Sequence, residues 1–181
     1  MRTIAVPQLD TLDQDSQDIL VQVQKKMGKV PNLYATIGYS SSALKSMLET
    51  DNALAHGSSF SAKEREAINL IVSQVNDCNY CLAAHTALAK MRGFSEAETI
   101  QIRKAAYPTE KLNAVILLAQ SIAENKGQAG PDLLDSFFEQ GYSEKALIEL
   151  IALISLRTFT NYVYANTNIP IDFPAAGPLE Q

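Results

Sequence analysis

Both cysteines of the chain lie three residues apart, Cys78 and Cys81, and one of its only two histidines, His85, follows a helical turn later. Glu66 stands on the apolar segment just before them, so the stretch reads Glu66-x11-Cys78-x2-Cys81-x3-His85. It holds a redox-capable dithiol, a titratable imidazole and a carboxylate, and no other stretch gathers reactive side chains in this way. In a helix, residues three or four apart share a face, so Cys78, Cys81 and His85 line up. A dithiol that opens a helix gains from the unsatisfied backbone N–H groups and the macrodipole, which favour a thiolate. The first cysteine can also leave helical geometry and bring the two sulfurs within bonding reach. His85 is placed to take the proton of Cys81, and Glu66 to orient the imidazole and steady its charge.

Two influences compete over which thiol attacks. The helix dipole acts most on Cys78, but Asp77 beside it opposes ionisation, and His85 aligns best with Cys81. The balance favours Cys81 as attacker and Cys78 as resolver. Blander readings of the same residues stay open. Cysteines also serve as small buried apolar groups, His85 as a core histidine, and Glu64 with Glu66 as acidic residues favouring a helix N-terminus. Two cysteines with His85 and Glu66 are legitimate zinc ligands, although no second CxxC or histidine pair completes a common finger. No metal is expected on this pattern.

The elements that must position these groups are helical. Apolar residues recur at helical spacing along most of the chain and strand-like alternation is almost absent. The pattern predicts a strap through Pro7, a helix over 11–27 broken by Gly28, a short helix opened by Pro31, and a helix capped by Ser40–Ser42 that stops near Gly57. Ser61-Ala62-Lys63-Glu64 reads as a capping box launching the helix of Glu66. Asp77 is the expected N-cap of the dithiol helix, which runs from Cys78 to about Met91 and closes at Gly93. A second capping box, Ser95 to Glu98, starts a helix to about Ala106, and further helices are predicted over 109–125, 131–140 and 143–165. Pro170, Pro174 and Pro178 make the tail an extended strap. The fold class is all-α, in one domain over 1–181, with a strap over about 1–10 and a tail over about 168–181.

One internal echo crosses this pattern. Glu149, Asn161, Tyr164 and Asn168 repeat the spacing of Glu66, Cys78, Cys81 and His85. Either two apolar helices coincide, or a helical unit is duplicated and only the first copy keeps its reactive groups.

Composition narrows the function classes. With 181 residues, 46% of them hydrophobic, the chain can bury a core without disulfide staples. A net charge of −5 with no Lys/Arg cluster argues against nucleic acid. The first ten residues lack the apolar run of a signal peptide, and the most apolar stretch, 147–156, is shorter than the roughly 20 residues a span needs. The expectation is a cytoplasmic protein with no membrane partner, in which a lone CxxC is more often catalytic than structural. No dinucleotide-binding glycine pattern is present, so no nicotinamide or flavin cofactor is expected.

The run Glu66 to His85 (EAINLIVSQVNDCNYCLAAH) resembles the core of the alkylhydroperoxidase D-like family, also called the carboxymuconolactone decarboxylase family. Glu66, Cys78, Cys81 and His85 each match a position of its motif. Gly28-Lys29-Val30-Pro31-Asn32, Tyr107-Pro108 and Ile171-Asp172-Phe173-Pro174 agree as well. The resemblance implies an all-helical fold that forms homo-oligomers, often trimers or hexamers. It implies a cysteine-based, antioxidant peroxidase whose Cys81 attacks a peroxide to give a sulfenic acid. Cys78 condenses with it to a disulfide, which a partner dithiol or thiol protein reduces. Glu66 and His85 form the proton relay. Members that decarboxylate a muconolactone lack the dithiol. The chain departs from the best-defined peroxidase members at Tyr80, where they carry a relay histidine. A tyrosine hydroxyl can donate to a peroxide oxygen but is a poor base at neutral pH. A competing class is therefore a redox-sensing or dithiol-exchange oligomer with little turnover.

Overall fold

Polar caps decide where the helices begin. The structure, a computed structural model, describes residues 4–179. The side chains of Asp13, Ser40, Ser61, Ser95 and Ser143 each accept a backbone N–H at the start of a helix. A cap of this kind contributes about 1 kcal/mol. Ser61 and Ser95 are full capping boxes, with Glu64 and Glu98 returning the bond.

After a 3-10 turn at Leu9–Thr11, the helices are α1 (Gln14–Met27), α2 (Asn32–Ile37), α3 (Ser41–Ala55), α4 (Ala62–Val75), α5 (Asn79–Met91), α6 (Glu96–Arg103), α7 (Glu110–Glu124), α8 (Pro131–Glu139) and α9 (Glu144–Thr167). No strand occurs among the described residues. Gly28 ends α1 at φ 79°, a left-handed position that a Cβ would strain. From Asn168 to Leu179 the chain carries no helix and returns across the molecule as a strap. The predicted terminal segments extend beyond what is described at 1–3 and 180–181.

α4 is the central rod and packs on α5, α6, α7 and α9. Ala67, Ile68, Leu70, Ile71 and Val72 on it are wholly buried. Each Ile or Leu so buried contributes roughly 1.5–3 kcal/mol. The apolar interior has two lobes. The larger joins α4 to α6–α9, and the smaller gathers α1, α2, α3 and the strap around Cys78, Tyr80 and Cys81. The dithiol sits in the smaller lobe, against the side of the central rod.

α9 overturns the reading of its apolar stretch as too short to span a bilayer. At 24 residues it is long and apolar enough to cross one, by length and composition. Here it packs against α3, α4 and α7 as a core helix.

Candidate functional site

The reactive corner lies where α4 ends and α5 begins. Asp77 adopts φ 50°, in the left-handed region, and turns the chain between the two helices. Asp and Asn enter this region more readily than other residues with a Cβ. Asp77 is therefore the turn residue and not the N-cap, and its side chain is exposed. The cap is Cys78, whose sulfur accepts the backbone N–H of Cys81 at 3.3 Å. A thiol there feels the unpaired N–H groups of the helix start, the setting that stabilises a thiolate. Cys78 and Cys81 are joined as a disulfide, with 5.3 Å between their Cα atoms.

α9 braces this corner. Asn161, fully buried, accepts from Asn76 Nδ2 at 2.9 Å and donates to Ser73 Oγ at 3.3 Å. The echo of the dithiol spacing ends here in architecture. Residues 149–167 form one uninterrupted helix, so the second stretch has no corner.

One turn along α5, His85 faces α4. Its Nδ1 lies 2.7 Å from Glu66 Oε2, and only 9% and 13% of the two side chains are exposed. Asn69 Nδ2 stands 3.5 Å from the same oxygen. Arg157 Nε donates to Asn69 Oδ1 at 3.1 Å, and its Nη1 to Thr160 Oγ1 at 3.2 Å. A polar row thus runs Arg157–Asn69–Glu66–His85 through an apolar setting.

The charges in this row are set by surroundings. Burial pushes His85 below the ordinary imidazole range, and the nearby Arg157 charge adds to this, against the pull of Glu66. Burial alone would raise Glu66, but the charge and hydrogen bond of His85, with Arg157 and Asn69, hold it below the usual carboxylate range. At neutral pH the pair is carboxylate and neutral imidazole. The Glu66 bond fixes the proton on Nδ1, which leaves Nε2 as a base.

Cys81 and His85 line one narrow cleft of about 50 Å³, together with Tyr34, Tyr80, Arg157 and Phe173. A space of this size admits a group of a few atoms. Wider grooves exist, such as one of about 620 Å³ between α1 and α3, but its walls carry no cysteine or histidine. Cys78 is not among the residues of the cleft wall.

Tyr80 does not offer its hydroxyl to the cleft. It donates to Asp172 Oδ1 at 2.5 Å and accepts from Leu33 N at 3.1 Å. Burial and the Asp172 hydrogen bond raise its pKa strongly, so it stays protonated. The strap lies over the site through the same carboxylate. Asp172 Oδ2 accepts from Lys29 Nζ at 3.0 Å and from Asn32 N at 3.4 Å. Phe173 meets the Tyr80 ring edge-on at 5.7 Å, and Lys29 Nζ sits 3.9 Å above the Phe173 ring.

Glu66, Cys78, Cys81 and His85 are thus brought together, while Asp77 serves the turn and Tyr80 the strap. Arg157, which follows the apolar stretch 147–156 and in the sequence is a candidate to line a pocket or a subunit interface, lines the cleft. Of the other tyrosines, Tyr34 lines the cleft and Tyr164 packs on Tyr80 with ring centroids 5.7 Å apart. Tyr39 and Tyr162 are exposed.

The architecture is all-helical, and its structural matches give it an AhpD-like fold. Residues 42–123, nearly all of α3 through α7, match the model of the carboxymuconolactone decarboxylase family. Among solved structures it resembles an uncharacterized peroxidase-related protein with an alkylhydroperoxidase AhpD core from Ralstonia eutropha JMP134. The TM-score is 0.82 at 20% identity, covering 92% of this chain and 90% of that one. A peroxidase-related protein from Silicibacter sp. TM1040 matches with TM-score 0.81 and 21% identity over 97% and 94% of the two chains. The debrominase Bmp8, in a cysteine-to-alanine variant bound to 2,3,4-tribromopyrrole, matches with TM-score 0.79 and 18% identity over 95% and 93%. No curated protein matches the sequence.

Proposed function

We propose that this chain is a thiol-dependent peroxidase that reduces small peroxides through Cys81 and Cys78. The observation that carries the reading is that Cys81 opens on the same cleft as His85, whose Nδ1 is held by Glu66. In the reduced protein, neutral His85 takes the Cys81 proton. The thiolate attacks the peroxide, the O–O bond breaks, and sulfur becomes a sulfenic acid while the peroxide leaves as an alcohol. Cys78 then attacks that sulfur, water departs, and the disulfide forms. An external dithiol or thiol protein restores both thiols by exchange. A reducing compartment such as the cytoplasm fits this cycle, and a homo-oligomer fits the family resemblance. The test is stopped-flow oxidation of the reduced protein by an organic hydroperoxide. Fast loss of one thiol, absent in Cys81→Ser, supports the reading; oxidation no faster than a free thiol overturns it.

A second reading is a redox sensor or dithiol-exchange protein with little turnover. It is favoured by two cysteines that are each no more than 2% exposed and by a Tyr80 hydroxyl committed to the strap. The likeness to a debrominase is a likeness of fold, which selects no substrate.

A further inference from the structure

Arg157 stands out because the relay of Glu66 and His85 does not use it. It is the cation of the polar row, and it comes from α9 rather than from the two helices that carry the motif. Two bonds lock its orientation, Nε to Asn69 and Nη1 to Thr160. Its Nη2 makes no hydrogen bond among the described residues, and no carboxylate there forms an ion pair with it. Glu66, the nearest acid of the row, is engaged with His85. A guanidinium with a free edge therefore borders the cleft that holds Cys81. Tyr34 lines the same cleft, and its hydroxyl has no hydrogen-bond partner among the described residues. Burial, with the charge of Asp51, raises the Tyr34 pKa, so it remains a donor.

We propose that Arg157, seconded by the Tyr34 hydroxyl, receives the leaving oxygen of the peroxide. The inference rests on the peroxidase reading and adds the group that stabilises the oxyanion. As the Cys81 thiolate bonds to one peroxide oxygen, both electrons of the O–O bond go to the other, which departs as an alkoxide. Sulfur is oxidised by two electrons and the peroxide is reduced by two. The proton that His85 took from the thiol then passes to the alkoxide and yields the alcohol. Fixed donors aimed at a charge that appears only in the transition state accelerate that step. In a cleft this small the tail of a larger peroxide must point outward, so the –OOH group is what Arg157 meets.

The experiment compares wild type, Arg157→Gln, Arg157→Lys and Tyr34→Phe in single-turnover oxidation of Cys81. The oxidants are peracetic acid, hydrogen peroxide and tert-butyl hydroperoxide, whose leaving oxygens are progressively more basic. Arg157→Gln is expected to lose about 10²–10³-fold with the alkyl hydroperoxide and far less with the peracid, whose acetate needs little help. The rate then depends more steeply on leaving-group basicity. Arg157→Lys restores part of the loss, and Tyr34→Phe steepens the dependence less. An equal loss with all three oxidants marks a merely structural role and overturns the inference, as does no loss. Thermal unfolding of each variant shows whether the fold is intact. If wild type itself reacts no faster than a free thiol, the peroxidase reading falls first and the inference with it. If wild type is fast and the dependence is unchanged in Arg157→Gln, only the inference falls.

Discussion

Two stretches of this molecule share a spacing and do opposite work. From Glu66 to His85 the chain breaks at Asn76 and Asp77, restarts as α5, and sets Cys78 at a helix N-terminus. From Glu149 to Asn168 the same spacing lies on one continuous helix that ends only at Asn168. The carboxylates diverge as well. Glu66 is held against His85, whereas Glu149 accepts the Ser59 backbone N–H at 2.7 Å near the surface. Reactivity follows the break and not the spacing. A mid-helix side chain finds every neighbouring N–H already bonded, while a side chain at a helix start finds several free. The unbroken stretch has become support, since its Asn161 ties Asn76 and Ser73 at the other's corner.

The contrast is broken most completely by Cys81→Ser. Peroxide consumption is expected to fall to the buffer background in a coupled turnover assay, and activity that persists would place the chemistry elsewhere. Next comes His85→Gln, which removes the base and should slow Cys81 oxidation about 10²–10³-fold in stopped flow. Glu66→Gln should show a smaller loss, because it disturbs the orientation of the base and leaves the base itself in place.

On the supporting side, Asn161→Ala strips two buried hydrogen bonds from the corner. It should lower unfolding free energy by about 2–3 kcal/mol in urea titration. Acid sharpens the comparison further. His85 faces Glu66 on α4, Arg157 on α9 and Asp51 on α3, and its native pKa is held below the unfolded value. As pH falls through about 6.5, the unfolded chain binds a proton that the native state refuses. Stability is therefore complete above that range and is lost below it, by up to about 1.4 kcal/mol per pH unit. Urea midpoints measured from pH 7 to pH 5 should show this slope, and His85→Gln should flatten it. Glu149→Gln is expected to have the smallest effect, about 0.5 kcal/mol, with no change in thiol oxidation.

Most of this architecture was legible in the sequence because capping and periodicity are local. Ser61 and Ser95 begin helices where the capping-box pattern puts them. The order Glu66, Cys78, Cys81, His85 was legible for the same reason: one helical face and one preceding helix bring the four together. Asp77 was misread because Asp suits both an N-cap and a left-handed turn, and the choice depends on how sharply α4 must meet α5. The pairings of Tyr80 and Arg157 were illegible for a different reason. Their partners, Asp172 for one and Asn69 for the other, lie 92 and 88 residues away. Spacing along the chain carries no record of pairings at that range.

The strap has a consequence for the order in which the protein is made. Asp172 follows Tyr80 by 92 residues, and at about 5–20 residues per second the ribosome needs roughly 5–20 s to supply it. Throughout that interval the dithiol helix exists without the segment that later roofs it. The roof over the pair is completed last, when one late carboxylate arrives to gather Lys29, Asn32 and Tyr80.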